Sequence, residues 1–335
     1  MESKFAYVTL VMINPEYIMG AITLANSLKL TNTKNDIICM VTNDIYNVTI
    51  YRNILLKYFT HVIEIEYVQF KTKTFKTVKY TNLYKWIDKS YTKLTAMKLE
   101  QYEKVCMLDC DMIITNNIDN LFELNTPIGV FSNHYFDNVT PSLCVNKHIN
   151  KTCNYYNKIK PLETIHPELI KKALNNNGFV CSGNIIIIKP NKDEFIEMKK
   201  IICKNQPFGF NCSSGADEQC ISYYQSVVKS RLWTCLKQPY NVVPWKLKET
   251  LLKDQKPYII HFNKSPKPWN TIRNKWVDNE IWWTYFINIP DYEQIFKLFQ
   301  IKYLESKIEY CPYCYITLNQ KKNHKLLNCS NLIIL

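Results

Sequence analysis

Glycine is scarce in this chain, with 6 residues in 335. No glycine-rich loop is available to cradle phosphates with its backbone N–H groups, which weighs against nucleotide chemistry of the P-loop kind. No stretch approaches the length of apolar sequence that a membrane-spanning helix needs. The first apolar run, Phe5 to Ile13, is broken by Asn14-Pro15 with no small-residue cleavage site after it. It reads as a first strand rather than a secretory signal, and a cytoplasmic location is the expectation. Arginine-rich blocks are missing too. The formal net charge is +13, yet the lysines are spread along the chain with a modest cluster only from Lys71 to Lys79, so nucleic acid is not an expected partner. What is plentiful is Lys, Asn, Ile and Tyr, the mark of a biased composition, and a hydrophobic fraction of 47% that supplies a real core. The 13 cysteines are an odd number scattered through apolar segments and loops alike. Without a secretory signal, most read as reduced thiols acting as small buried hydrophobes.

The stretch with the most chemistry is Lys104 to Leu124. Val105-Cys106-Met107-Leu108 is too short for a self-burying helix and suits a fully covered strand. It runs into Asp109-Cys110-Asp111, where residues two apart point the same way, so both carboxylates can face one spot with Cys110 turned opposite. Two adjacent carboxylates repel unless a cation sits between them or one is protonated. Oxygen ligands suit Mn2+ or Mg2+, with open positions left for the phosphate oxygens of a substrate. The competing reading is a polar strand end whose aspartates cap the following turn.

Before this stretch the rhythm is strand, helix, strand, helix, strand: Phe5–Ile13, Glu16–Leu30, Asp36–Val41, Asn47–Phe59 and His61–Tyr67. That rhythm predicts a parallel sheet with right-handed crossovers, whose ligands bind beyond the carboxyl ends of the strands, where Asp109 and Asp111 fall. Thr81 to Tyr102 is expected to be helical, with Tyr84, Ile87, Tyr91, Leu94 and Met97 on one side and Lys93 within it. Ser132 to Lys172 lacks periodicity and reads as a long loop. Phe179 to Pro190 is strand-like, with Ser182-Gly183 allowing close backbone approach, and Asp217-Glu218-Gln219 lies in the first turn of a helix. Tyr258 to Phe262 is a last strand. His261 at its end is either a hydrogen-bonded core histidine or a nitrogen ligand beside the carboxylates, which would favour Mn2+ over Mg2+. Lys267, stiffened by Pro266 and Pro268, can present an ammonium to the same diphosphate.

Taken together, Thr9-Leu10 with Tyr17 and Gly20, Tyr91-Thr92-Lys93-Leu94, Met107-Leu108-Asp109-Cys110-Asp111 with Ile118 to Phe122, Ser182-Gly183, Asp217-Glu218-Gln219, and His261-Phe262 with Lys267-Pro268-Trp269-Asn270 occur in an order that resembles glycogenin and its relatives in glycosyltransferase family 8. Galactinol synthases and glycogenin-like proteins of large insect DNA viruses share this motif set, and the viral group suits the biased composition. The resemblance implies an α/β, GT-A single domain: a Rossmann-like mixed sheet flanked by helices over residues 1–290, with a donor half to about 125 and an acceptor half from about 126. Residues 291–335 form a small C-terminal extension.

It implies a retaining enzyme that moves a hexosyl unit, glucose or galactose, from a UDP-sugar to a small-molecule, glycan or protein acceptor with Mn2+, Mg2+ being the alternative ion. Carried over by position, Asp109, Asp111 and His261 ligate the metal, with Cys110 inside the donor-binding set, and Lys267 holds the diphosphate. Thr9, Leu10 and Tyr17 line the uracil and ribose pocket, and Lys93 sits near the donor phosphates or sugar. Ser182 and Gly183 flank the sugar and acceptor, while Asp217, Glu218 and Gln219 form the catalytic set, the last two facing the anomeric carbon. A homodimer is compatible with the family.

The chain departs from the family pattern in three places. Cys181 stands where an Asn usually precedes Ser-Gly, which opens the identity of the sugar. Lys264 replaces a Gly near the phosphates. Between Tyr240-Asn241 and His261, where glycogenin carries its self-glucosylated tyrosine, only Tyr258 is present, so a separate acceptor is expected. The alternative of a different class is an inactive GT-A protein that binds a sugar nucleotide or acts as a scaffold; the complete Asp109, Asp111, His261 and Lys267 set argues against it. A nucleotidyltransferase or sugar phosphatase is the other enzyme reading. In the tail, Cys311, Cys314, His324 and Cys329 have a spacing that suits tetrahedral Zn2+, the alternative being a tail packed back through Leu332 to Leu335.

Overall fold

The computed structural model describes residues 3–70, 84–131, 160–177, 181–205, 216–237, 239–244, 247, 250, 256–263, 266–270 and 278–299. The opening β-branched run forms β1 (Phe5–Val11), followed by α1 (Tyr17–Leu30), β2 (Asp36–Thr42), the short α2 (Asn43–Tyr46), α3 (Thr49–Tyr58) and β3 (His61–Ile65). After α4 (Tyr84–Ile87) and a 3-10 helix (Ser90–Lys98) come β4 (Lys104–Leu108), β5 (Met112–Ile114), a second 3-10 helix (Asp119–Glu123) and β6 (Ile128–Val130). The rest comprises β7 (Thr164–Ile165), α5 (Pro167–Asn177), β8 (Ser182–Ile188), α6 (Lys192–Asn205), α7 (Ala216–Tyr223) with a π-helical turn (Tyr224–Val228), β9 (Trp233–Leu236), β10 (Ile259–His261), α8 (Asp278–Ile287) and α9 (Tyr292–Leu298).

One sheet of eight strands, ordered β3-β2-β1-β4-β8-β6-β9-β7, forms the middle layer. From β3 to β4 the strands run parallel, as the sequence rhythm predicts. Beyond β4 the sheet is mixed, because β8 runs antiparallel to both β4 and β6. The period-two alternation of buried strands divides their side chains between two cores. Tyr7, Cys39, Cys106 and Leu108 enter one, beneath α1 and α8, while Val8, Met40, Val105 and Met107 enter the other, beneath α6, α7 and the first 3-10 helix. Ile295 of α9 is buried in the first of these cores. Cys39, Cys106, Cys110, Cys181, Cys220 and Cys235 are free and buried, the expected role for small apolar thiols.

Two expectations are corrected. The helical reading of Thr81 to Tyr102 resolves into the single turn of α4 and a nine-residue 3-10 helix, residues 81–83 lying outside those described. Tyr91, Leu94 and Met97 recur every three residues, a spacing the 3-10 period accommodates, and burying all three in one core selects that form. The stretch read as a loop to Lys172 ends in β7 and in α5, which opens on Pro167 with Glu168 in its first turn, both favourable at a helix start. Among the described residues no helix is long and apolar enough to cross a membrane.

A second, two-stranded sheet pairs β5 with β10 antiparallel in the register His261↔Met112. Because β5 follows β4 after a three-residue connection, this ribbon fixes β10, the last strand among the described residues, against the carboxyl edge of the main sheet.

Candidate active site

Asp109 leaves β4 at its carboxyl end, its N–H donating to Asn184 O at 3.1 Å. Asp111 accepts the Phe262 N–H on its carbonyl at 2.8 Å, so backbone bonds to β8 and to the β10 loop fix the turn between the two acids. Cys110 points the other way, as the alternation predicts. Its thiol donates to Leu10 O at 2.9 Å and meets Thr9 Oγ1 at 3.3 Å. Burial, partly offset by the Thr9 contact, pushes that thiol up to about 12, so it stays protonated. Gly20 lets α1 close on this turn, since a Cβ there would sit 2.7 Å from Cys110 O and 2.7 Å from the Trp269 ring.

The ribbon register brings His261 to the acids. Its Nε2 lies 3.3 Å from Asp111 Oδ1 and 3.9 Å from Asp109 Oδ2, and one ligand atom from each of the three residues falls within 4.8 Å of the others. Each carboxylate gives its remaining oxygen to a lysine, Asp109 Oδ1 to Lys93 and Asp111 Oδ2 to Lys267. Burial alone would raise Asp111; the Lys267 ammonium and His261 outweigh it and hold the carboxyl well below the usual carboxylate range. Asp111 Oδ1 is buried and makes no well-formed hydrogen bond among the described residues, facing His261 Nε2 at 3.3 Å, an under-satisfied oxygen that a bound cation would satisfy. Two oxygen donors and an imidazole suit a divalent ion of the Mn2+ class, and these residues fit one.

A second group of acids surrounds Lys93. Besides Asp109, its ammonium donates to Gly183 O at 2.8 Å and lies 4.0 Å from Asp217 Oδ2. Burial opposes the charge on Lys93, yet Asp109 and then Asp217 hold its pKa above the ordinary value. Asp217 is raised too: burial raises it and Lys93 only partly compensates. Glu218 accepts the Gly183 N–H at 2.7 Å, and a Cβ on Gly183 would meet Glu218 Cγ at 2.7 Å and Asp217 Oδ2 at 3.0 Å. Only glycine lets α7 come this close to β8.

The structure therefore brings Lys93, Asp109, Asp111, Gly183, Asp217, Glu218, His261 and Lys267 into one connected set. Tyr17 stands beside it, edge-on to Trp269 at 5.1 Å, its phenol raised by burial and then by Asp111. Thr9 is placed beneath the site, its hydroxyl donating to Leu108 O at 2.9 Å, with Leu10 above the Cys110 thiol. Ser182 is half-buried at the start of β8, and Gln219 is fully buried. Cys181 is fully buried as well, and its sulfur occupies the space that a Cβ on Gly129 would need. Lys264 and the Cys311, Cys314, His324 and Cys329 set lie outside the described residues.

Sequence reasoning missed Asn184, whose amide Nδ2 lies 2.9 Å from His261 Nδ1. The amide oxygen already accepts the Ile185 N–H at 2.9 Å, which leaves Nδ2 to donate to Nδ1 of a neutral ring and fixes the imidazole with its Nε2 edge toward the carboxylates. A signal was present, because Asn184 is an amide placed directly before an otherwise unbroken isoleucine run.

The chain matches the model of glycosyl transferase family 8 over residues 8–178. An uncharacterized protein, R707, of Acanthamoeba polyphaga mimivirus is 31% identical to it over 279 residues, covering 81% of this chain and 85% of that one. Galactinol synthase 10 of Arabidopsis thaliana is 25% identical over 272 residues, 80% of this chain and 72% of that one. Among solved structures, the glycosyltransferase GlyE of Streptococcus pneumoniae TIGR4 aligns with a TM-score of 0.50 at 15% identity, covering 92% of this chain and 67% of that one, a likeness of fold.

Proposed function

The chain belongs to glycosyl transferase family 8, and from that premise we propose that it transfers a hexosyl unit, glucose or galactose, from a UDP-sugar to a separate acceptor with retention of configuration and dependence on Mn2+. The observation that carries this reading is the convergence of Asp109, Asp111 and His261 with Lys267 on the outer oxygen of Asp111. A divalent cation held by those three residues would supply Lewis-acid charge to the diphosphate of the donor.

Lys267 contributes a charge-assisted hydrogen bond to the same leaving group, stabilising negative charge as the bond to the sugar breaks. Lys93 orders Asp109 and the Gly183 carbonyl, so the sugar lies over the surface formed where Ser182-Gly183 of β8 meets the start of α7. There Glu218 and Gln219 face the anomeric carbon, with Asp217 behind them. Thr9, Leu10 and Tyr17 belong to the end of the cleft that takes the nucleoside. The donor half comprises residues 1–125 and the acceptor half about 126–290, with the extension beyond. Tyr258, the tyrosine nearest His261 in sequence, stacks on Tyr240 at 4.9 Å, an engaged ring that favours a separate acceptor over self-modification.

The test is release of UDP from UDP-glucose, UDP-galactose and UDP-N-acetylglucosamine by the full chain, with Mn2+ and then with EDTA. Slow, EDTA-sensitive hydrolysis of a hexose donor is expected. Hydrolysis that is indifferent to EDTA, or failure to bind UDP in the presence of Mn2+, would sink the proposal.

A further inference from the structure

Away from the carboxylates, the connection between β1 and α1 holds a strained backbone. Ile13 has φ of 67°, a left-handed conformation that is costly for a β-branched residue. The Asn14 N–H closes back on Met12 O at 2.7 Å, so Met12-Ile13-Asn14 forms the rare γ-turn with a positive central φ. Strain of this kind persists only where the surroundings over-determine it.

Those surroundings are specific. The Ile13 N–H donates to the Tyr67 phenol oxygen at 3.0 Å. That oxygen also accepts from Thr42 Oγ1 at 3.3 Å and donates to Asp44 Oδ2 at 2.9 Å. One hydroxyl thus ties together the carboxyl ends of β1, β2 and β3, with every hydrogen-bonding position used. Lys89 lies over the Tyr67 ring, its ammonium 4.1 Å from the centroid, and it immediately precedes the 3-10 helix that carries Lys93. On the opposite side Glu16, its N–H held by Asn14 Oδ1 at 3.0 Å, accepts from Asn270, three residues beyond Lys267. The strained turn is therefore clamped between both lysine-bearing segments, at the sheet edge where α/β folds receive ligands.

We infer that Tyr67 is a positioning residue for the nucleoside end of the donor, holding the Met12–Asn14 turn in the strained shape against which the base and ribose of a nucleoside diphosphate pack. The inference rests on the donor reading above. Neither the phenol nor Asp44 belongs to the set around the carboxylates, so the effect of Tyr67 is confined to the nucleoside and does not reach the diphosphate.

The test is calorimetric titration of the full chain, saturated with Mn2+, with UDP and separately with inorganic diphosphate. Tyr67→Phe removes the hydroxyl and keeps the ring under Lys89. It should weaken UDP about tenfold, the weight of one hydrogen bond, with inorganic diphosphate unchanged. In steady-state hydrolysis KM should rise by the same factor while kcat holds. Adding Ile13→Gly, which adopts the positive φ without penalty, should restore UDP affinity to the Tyr67→Phe chain. Wild-type UDP affinity in Tyr67→Phe would overturn the inference. So would equal losses for UDP and inorganic diphosphate, the signature of a merely structural role, or a double variant that fails to recover. A wild-type chain that binds no UDP would overturn the donor reading itself, and this inference with it.

Discussion

Asp109 and Asp111 each give one oxygen to a lysine, yet the two sides of the pair are built differently. On the Lys267 side two basic groups, Lys267 and His261, serve the single carboxylate of Asp111, which is held well below the usual range. On the Lys93 side one ammonium serves Asp109 and Asp217, with Glu218 nearby on Gly183, and Asp217 is raised above its ordinary value. One side is balanced, a single ammonium against a single carboxylate, and the other carries a surplus of acidic groups around its one ammonium. In the proposed reaction the leaving diphosphate gains negative charge while the anomeric centre becomes electron-poor, so the asymmetry matches where charge develops. The two sides are thus expected to fail differently when each is damaged.

The largest effect should follow Asp111→Asn, which removes one of the cation's carboxylate donors and leaves Lys267 without its buried partner. Mn2+ affinity by calorimetry should drop by more than ~100-fold, beyond the range typical of changes around a metal's ligands, and EDTA-sensitive UDP release should vanish. Unchanged Mn2+ binding would mean that the carboxylate pair is not the cation site.

Lys267→Met should come next, and its sign differs between two titrations. Losing a charge-assisted bond of ~1.5–3 kcal/mol weakens UDP in the presence of Mn2+ by roughly 10- to 150-fold. Without UDP the same substitution should strengthen Mn2+ binding, because the ammonium on Asp111 Oδ2 no longer repels a cation held at the same carboxylate. A parallel loss of both affinities would show that Lys267 supports the fold of this loop rather than the charge on the diphosphate.

The same two sides explain what could be read beforehand. The carboxyl edge of β4 was legible because its signals are local: a short apolar run, two aspartates in alternation, and strands and helices that alternate through β3. His261 and Lys267 were legible as motif members, but their meeting with Asp111 depends on the β5–β10 register, a long-range pairing that no local pattern reports. On the Lys93 side the residues themselves were foreseen and their support was not. The three-residue spacing of Tyr91, Leu94 and Met97 fits either helix loosely, and packing under α6 and α7 selects the 3-10 form. Asn184 and Tyr67 escaped because each acts through partners at least 23 residues away in sequence, His261 for one, Ile13, Thr42 and Asp44 for the other. In the chain alone each is a polar residue near a strand end.

The smallest effect on UDP affinity should come from Lys93→Met, and that smallness is the sharpest check on the asymmetry. Lys93 touches Asp109 Oδ1, Gly183 O and Asp217, all on the side assigned to the sugar. Its loss leaves two carboxylates without their shared cation, so UDP with Mn2+ should change by less than about 5-fold, well below the loss expected from a charge-assisted bond. Turnover should suffer instead, because Gly183 of β8 and the start of α7 lose the group that joins them to Asp109. Stability should fall too, since removing one partner of a buried ion pair costs ~3–5 kcal/mol, and calorimetric unfolding would register it as a lower Tm. UDP titration, initial hydrolysis rates and unfolding of the same variant decide the matter together. If Lys93→Met weakened UDP as strongly as Lys267→Met, both lysines would be serving the diphosphate, and the division of the site into a leaving-group side and a sugar side would be wrong.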